Sequence, residues 1–283
     1  NLAVVMDSGS LETVVISSVC DYCGEKQHLY QPADSDTYKN TNDLSQQSYG
    51  SGMLLTQLAF DTVLIGTLTV EKASMWEVID AYMPLLYESD FAGIFGLGPY
   101  SDSMDVISWN NVASNKGKEV ASGRGAAPPV GGASNQSWLE NSTTSLQWQL
   151  GINVFSICLN SASGSPGQLI FNDDAVEQHA GVFTKVPTLS GVPWWAAQLT
   201  DVSFDSESFD CGGSPCAAII DSGTSLLGVP RSVRQSMANV LKQKNINCSN
   251  LAEAPPLHFK LGGESFSLPA SFYIGEVFGA PSE

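Results

Sequence analysis

Along most of the chain, apolar residues come in short runs cut by Gly, Ser, Asp and Pro. Residues 3–6, 13–16, 53–60, 62–65, 168–171 and 217–220 are of this kind. Their length, and their alternating or continuous apolar character, predict strands rather than helices. Near-helical apolar spacing predicts a helix over residues 233–244 and a shorter one over 145–150. The expected architecture is therefore all-β with a few short helices.

Two features interrupt this regularity. Residues 110–140 have no apolar period: Asn115-Lys-Gly-Lys-Glu and Ser122-Gly-Arg-Gly-Ala-Ala-Pro-Pro-Val-Gly-Gly read as an exposed loop inserted at the surface. A processing or docking role is the alternative for that loop. The second feature is a weak internal repeat. Ala3-Val-Val-Met-Asp-Ser-Gly-Ser10 recurs as Ala218-Ile-Ile-Asp-Ser-Gly-Thr224, each an apolar, buried-looking strand running into Asp-Ser-Gly and a further hydroxyl. Similar motifs so far apart predict two related lobes, residues 1–180 and 181–283, each presenting the same loop.

The repeat supplies the candidate chemistry. A strand ending in a loop presents Asp7 or Asp221 from a rigid element. Gly9 and Gly223 permit close backbone approach, and the Ser8 and Ser222 hydroxyls can lock one loop to the other. Two carboxylates brought together cannot both ionise cheaply, so they share a proton. One then acts as base on a water while the other donates to a substrate carbonyl. His28, His179 and His258 are scattered and stand in no motif, which argues against a serine-protease triad.

Charge and cysteine content narrow the classes further. Twelve Lys+Arg against 29 Asp+Glu give a formal net charge of -17 and a pI near 4.3. Such a surface repels phosphate backbones, so no nucleic acid is expected as partner. No run reaches the length of a transmembrane segment, and the opening Asn-Leu-Ala-Val-Val-Met shows no signal-peptide pattern. Of six cysteines, Cys20/Cys23 and Cys211/Cys216 are spaced to close short disulfide loops; a zinc site built from both pairs is the alternative. Cys20-Asp-Tyr-Cys23 lacks the following helix of a thioredoxin-like motif. Cys158, in an apolar stretch, reads as a buried thiol, and Cys248 has no partner in view. Asn135, Asn141 and Asn247 head Asn-x-Ser/Thr sequons, candidate glycosylation sites in a secretory protein.

Several segments resemble the pepsin-like aspartic proteases. Cys216-Ala-Ala-Ile-Ile-Asp-Ser-Gly-Thr-Ser-Leu-Leu-Gly-Val-Pro230 is similar to that family's second catalytic motif. Tyr30-Gln-Pro-Ala-Asp-Ser-Asp-Thr-Tyr38 resembles the loop after its first disulfide, and Ser48-Tyr-Gly-Ser-Gly52 its flap, followed by Phe60-Asp-Thr-Val-Leu-Ile-Gly66. Phe91-Ala-Gly-Ile-Phe-Gly-Leu97 resembles the apolar-apolar-Gly stretch that backs the family's first Asp, and Val154-Phe-Ser-Ile-Cys-Leu159 and Val192-Pro-Trp-Trp195 continue the likeness in order.

The resemblance implies a bilobal pepsin-like fold with the cleft between lobes, and an aspartic endopeptidase acting at acidic pH through a water held by Asp7 and Asp221. It implies Ser10 and Thr224 as donors to the outer carboxylate oxygens. Tyr49, Gly50 and Ser51 would form the tip of a hairpin closing over the substrate. Gly223 and Ser225 would meet the peptide backbone, together with Gly9 and Thr224 around the two carboxylates, and Trp194 would wall a side-chain pocket. It further implies no metal and no organic cofactor, and a peptide or protein substrate. A monomer or a component of a larger assembly, made as a zymogen, would be secreted or held in an acidic vacuole or lysosome.

The chain also departs from the pattern. Ser8 stands where the family has Thr. Val14 stands where it has a Trp bonded to the flap tyrosine, so a looser flap is expected. Only six residues precede Asp7, and the family would continue past Ser271-Phe-Tyr-Ile274 with a Cys, a strand behind the second Asp and a terminal strand. The chain is therefore read as part of a longer protein. The rival readings are an inactive homologue that binds or supports a partner, and a carbohydrate-binding β protein with Trp138, Trp148 or Trp194 as an aromatic platform.

Overall fold

The computed structural model describes residues 1–24, 28–99, 145–160, 165–179, 181–210, 216–247 and 249–274. The chain divides into two compact units, Asn1–Gln178 and His179–Glu283. Strands dominate both.

In the first unit, β1 (Val5–Asp7), β2 (Val14–Ile16), β3 (Lys39–Tyr49), β4 (Gly52–Ile65), β5 (Leu68–Tyr82) and β6 (Gly93–Gly96) form one sheet in the order β1-β6-β2-β5-β4-β3. The insertion of β6 between β1 and β2 shapes the first candidate loop. β6 runs parallel to β1 and antiparallel to β2, so the chain between β1 and β2 must arch over its end. Small residues make this close approach feasible. A Cβ on Gly93 would stand 2.5 Å from the Val14 carbonyl oxygen, and one on Gly96 would stand 2.6 Å from that of Leu11. Ile94 and Phe95, between the two glycines, are buried, as is Leu97 beyond β6. Ile94 joins the cluster that holds Val14 and Ile16 of β2, whereas Phe95 and Leu97 join a second cluster with Leu146 and Ile152.

The stretches over 53–60 and 62–65 are one continuous strand, β4. A register shift between Asp61 and Val63 absorbs the polar Asp61-Thr62 without ending the pairing to β5. β3 is almost wholly polar, so its strand character comes from pairing with β4 rather than from apolar alternation. A separate ribbon pairs β7 (Phe155–Cys158) with β8 (Gln168–Phe171). Among the described residues this unit also has three single-turn α-helices, α1 (Leu85–Glu88), α2 (Leu146–Gln149) and α3 (Ala175–Gln178). In α2 the Ser145 hydroxyl accepts from the Trp148 N–H as an N-cap.

The second unit is built around β9 (Ala196–Phe204). β10 (Glu207–Phe209), β11 (Cys216–Ile219) and β12 (Leu257–Leu261) all pair with it, and β13 (Glu264–Leu268) adds to β12. The expected long helix is present as α4 (Arg231–Gln243). It starts directly after Pro230, which cannot supply an N–H but is tolerated at a helix start. Its Met237 and Val240 are buried against Phe204 and Leu257. Burying such side chains stabilises by roughly 1.5–3 kcal/mol each, enough to hold an α4 that lacks a side-chain N-cap.

Two sequence expectations change here. Cys158 is an exposed free thiol, not a buried one. In β7 the period of two directs Phe155 and Ile157 to the apolar cluster and leaves Ser156 and Cys158 on the opposite face. The strand before the second Asp is likewise not buried: Ile219 and Ile220 are about half exposed. Among the described residues β11 pairs with β9 alone, whereas β1 has β6 laid beside it.

Candidate active site

Asp7 ends β1 and is only 7% exposed. The loop that follows folds back on its carboxylate. The Gly9 N–H donates to Asp7 Oδ1 at 2.9 Å, and the Ser10 hydroxyl donates to Oδ2 at 2.6 Å. Behind the loop, β6 continues as a brace: the Leu97 N–H donates to the Asp7 carbonyl at 2.7 Å, and the Gly98 N–H to the Ser10 carbonyl at 2.8 Å. The carboxylate is thus fixed by local donors in front and by a distant strand behind. Ser8 is buried within this arrangement.

Asp221 repeats the local half of that design. The Gly223 N–H donates to Oδ1 at 2.8 Å, and the Thr224 hydroxyl to Oδ2 at 2.6 Å. The same atoms, at the same offsets of two and three residues, satisfy the same two oxygens. The approach to the loop is set by the Ile220 N–H donating to the Trp195 carbonyl at 2.8 Å. Trp194, which is partly buried, directly precedes Trp195 at this point of the approach. The surroundings differ from those of Asp7: Ser222, Gly223, Thr224 and Ser225 are exposed, and Leu226 is 68% exposed.

The flap segment forms a tight hairpin in the first unit. Tyr49 pairs with Gly52, leaving Gly50 and Ser51 as a two-residue turn. At Gly52 a Cβ would collide with the Tyr82 carbonyl and lie 2.8 Å from the Met83 Cα, so this side of the hairpin can sit flush against the end of β5. Tyr49 is partly buried and packs on the cluster that contains Val14, Ile16 and Leu54. The Tyr49 ring thus rests on an apolar surface to which Val14 contributes. Burial, and then the nearby carboxylates of Glu12 and Asp7, push the Tyr49 phenol well above its ordinary pKa. The fold thus brings Tyr49 and Asp7 into electrostatic range of each other, with Glu12 as a third member. Sequence reasoning did not single out Glu12, because no local pattern ties it to a tyrosine so far along the chain.

A second polar group, also missed, braces the loop behind β2. Asp61 accepts from the Tyr30 hydroxyl at 2.6 Å, the Ser35 hydroxyl at 2.7 Å, the Thr62 N–H at 2.7 Å and the Thr37 hydroxyl. Glu77 accepts from the hydroxyls of Ser17 and Tyr38, each at 2.6 Å. Both carboxylates are buried, and the rings of Tyr30 and Tyr38 stand 6.1 Å apart. Burial alone would raise the Asp61 pKa. The hydrogen bonds from Thr37, Tyr30, Ser35 and Thr62 outweigh it and hold the carboxyl below the usual aspartate range. Tyr30-Gln-Pro-Ala-Asp-Ser-Asp-Thr-Tyr38 and Phe60-Asp61 were recognisable as segments, but their mutual contact was not.

Cys20 and Cys23 form a disulfide with Cα atoms 5.7 Å apart. Cys216 is also disulfide-bonded; Cys211, its expected partner, lies outside the described residues. These bonds leave no four-thiolate zinc site. Asn247 is exposed after α4, while Asn135, Asn141, Cys248, Trp138 and the loop over 110–140 lie outside the described residues. Trp148 is exposed on α2 in the first unit, and Trp194 belongs to the second. No helix among the described residues is long and apolar enough to cross a membrane.

The fold and the loops define a class: a mainly β protein in which each of two units presents a carboxylate from an Asp-Ser-Gly loop, held by a glycine amide and a hydroxyl. The family model of the eukaryotic aspartyl protease matches residues 1–280, and the chain belongs to that family. It is 27% identical over 282 residues to pepsin A of Suncus murinus, covering 96% of this chain and 64% of that protein. It is similarly 26% identical over 287 residues to pepsin-3 of Oryctolagus cuniculus, covering 98% and 65%. To rhizopuspepsin-3 of Rhizopus niveus it is 27% identical over 291 residues, covering 98% and 65%. The chain therefore spans just under two thirds of the length of these relatives.

Proposed function

We propose that the full-length protein is an aspartic endopeptidase that hydrolyses peptide bonds at acidic pH, with Asp7 and Asp221 as its catalytic pair. The observation that carries this reading is the identical fixing of the two carboxylates, Gly N–H on Oδ1 and hydroxyl on Oδ2. Asymmetric donors of this kind hold each carboxylate in one orientation without neutralising it. One carboxylate takes a proton from a water, and the water oxygen attacks the peptide carbonyl carbon. The other, protonated, donates to the carbonyl oxygen as the tetrahedral intermediate forms. Proton transfer to the leaving nitrogen then breaks the C–N bond, and no covalent enzyme intermediate is involved. Tyr49 and the turn at Gly50 and Ser51 cover the substrate in this scheme, with Gly9, Gly223, Thr224 and Ser225 toward its backbone and Trp194 along one side chain. The acidic chain fits passage through the secretory pathway to the exterior or to an acidic vacuole or lysosome.

The test is cleavage of a protein substrate by the full-length protein at acidic pH, with and without a transition-state-mimicking aspartic protease inhibitor. Asp7→Asn and Asp221→Asn should each lower kcat by roughly 10³-fold or more, with the fold intact by circular dichroism. Cleavage that survives either substitution, or no cleavage by the full-length wild type, would overturn the reading. The second of these outcomes would favour an inactive binding homologue.

A further inference from the structure

We propose that Asn247 carries an N-linked oligosaccharide on its side-chain nitrogen, an inference that rests on the secretory reading above. Asn247-Cys248-Ser249 meets the acceptor pattern, with a residue other than Pro between Asn and Ser. The structure adds how the acceptor is held. After α4 ends, the chain turns at Asn245, whose φ is +57°, and the Ile246 N–H donates back to the Leu241 carbonyl at 2.9 Å. Asn247 and Ser249 then follow on the surface, both exposed.

The polar atoms of Asn247 are engaged in an uneven way. Its N–H donates to Asn250 Oδ1 at 2.8 Å, and its carbonyl accepts from the Asn250 N–H at 3.2 Å. Its Oδ1 accepts twice from Ser249, from the N–H at 2.8 Å and from the hydroxyl at 2.6 Å. Nδ2 alone makes no hydrogen bond to any described residue. The neighbouring amide contrasts with this: Asn250 Nδ2 donates to the Asn245 carbonyl and to Glu253, each at 3.3 Å. A sugar on Asn247 Nδ2 therefore displaces no hydrogen bond among the described residues, and the turn that Oδ1 anchors can persist beneath it. The core contacts of α4 run through Met237 and Val240, so the modification does not disturb the packing of the helix.

The donor is a lipid-pyrophosphate-linked oligosaccharide of the secretory membrane. The bond from Nδ2 to the sugar C1 forms as the bond from C1 to the phosphate oxygen breaks. The lipid pyrophosphate leaves with that electron pair, and Nδ2 gives up one of its two protons.

The full-length protein would be secreted from a eukaryotic host and treated with a peptide N-glycosidase in heavy-oxygen water, which converts a glycosylated Asn to labelled Asp. Peptide mass spectrometry should find the label at position 247. The label should be lost in both Asn247→Gln and Ser249→Ala and kept in Ser249→Thr, which retains the hydroxyl and guards against a mere folding defect. Label at Asn135 or Asn141 but not at Asn247 would overturn this inference and leave the secretory reading standing. Secreted protein without label anywhere would also overturn it. Protein that is never secreted would overturn the secretory reading, and this inference with it.

Discussion

Asp61 shows how a single buried carboxylate can matter without taking part in catalysis. Its pKa is held down by three hydroxyls and one amide rather than by a cation. A depressed folded-state value means that Asp61 stabilises the fold above the ordinary aspartate pKa. That contribution is lost as pH falls through the lower folded value. The first unit should therefore keep this brace at neutral and mildly acidic pH and lose it only in stronger acid. Asp61→Ala strands the Tyr30, Ser35 and Thr37 hydroxyls and should cost about 3 kcal/mol at pH 7. Urea unfolding of wild type and variant across pH should show the difference shrinking below about pH 4. The catalytic candidates were legible at this scale because their partners are two and three residues away. Asp61 was not, since Tyr30 is distant in sequence and a hydroxyl donor leaves no charge pattern to read.

At the scale of the element, β6 decides how firmly the first loop is held. The two residues that follow it, Leu97 and Gly98, donate to the Asp7 and Ser10 carbonyls, and its glycines admit the crossing chain. Gly96→Ala would place a methyl group 2.6 Å from the Leu11 carbonyl oxygen and 2.8 Å from the Glu12 nitrogen. Both are backbone atoms of the Asp7 loop and cannot swing aside. The substitution should cost about 3 kcal/mol, read as a lowered urea midpoint at unchanged m-value. Gly50→Ala is the control: a Cβ there meets nothing within 4 Å, so stability should stay within about 0.5 kcal/mol. Apolar runs predicted β1, β2, β4 and β8 well. β3 escaped because Lys39-Asn-Thr-Asn-Asp has no apolar face, and Cys158 was misplaced because a short run of apolar residues does not say which face each side chain takes.

Across the whole molecule, the excess of acidic side chains sets the response to salt. A net charge of -17 makes the chain self-repulsive at neutral pH. Two ion pairs, Lys244 with Asp205 and Lys260 with Asp201, are solvent-exposed and contribute little. Screening should therefore relieve more repulsion than it removes attraction. Raising salt from low to about 0.5 M, where the screening length falls to a few ångströms, should raise Tm by several degrees at pH 7. Close to pH 4.3, where the net charge vanishes, the same change should barely move it. A Tm that falls with salt at pH 7 would mean that attractive pairs dominate after all. By itself the sequence determined the family, the two Asp-Ser-Gly loops and the flap hairpin, because strand-loop signals and short-offset hydrogen bonds are local. The resemblance already pointed to Phe91–Leu97 behind the first Asp; only the tertiary structure decided the contacts that fix it there, the Leu97 N–H on the Asp7 carbonyl and the Gly98 N–H on the Ser10 carbonyl. The loops are nearly the same in sequence, but among the described residues β6 lies beside β1 while β11 pairs with β9 alone, and such long-range pairings are encoded by no local pattern.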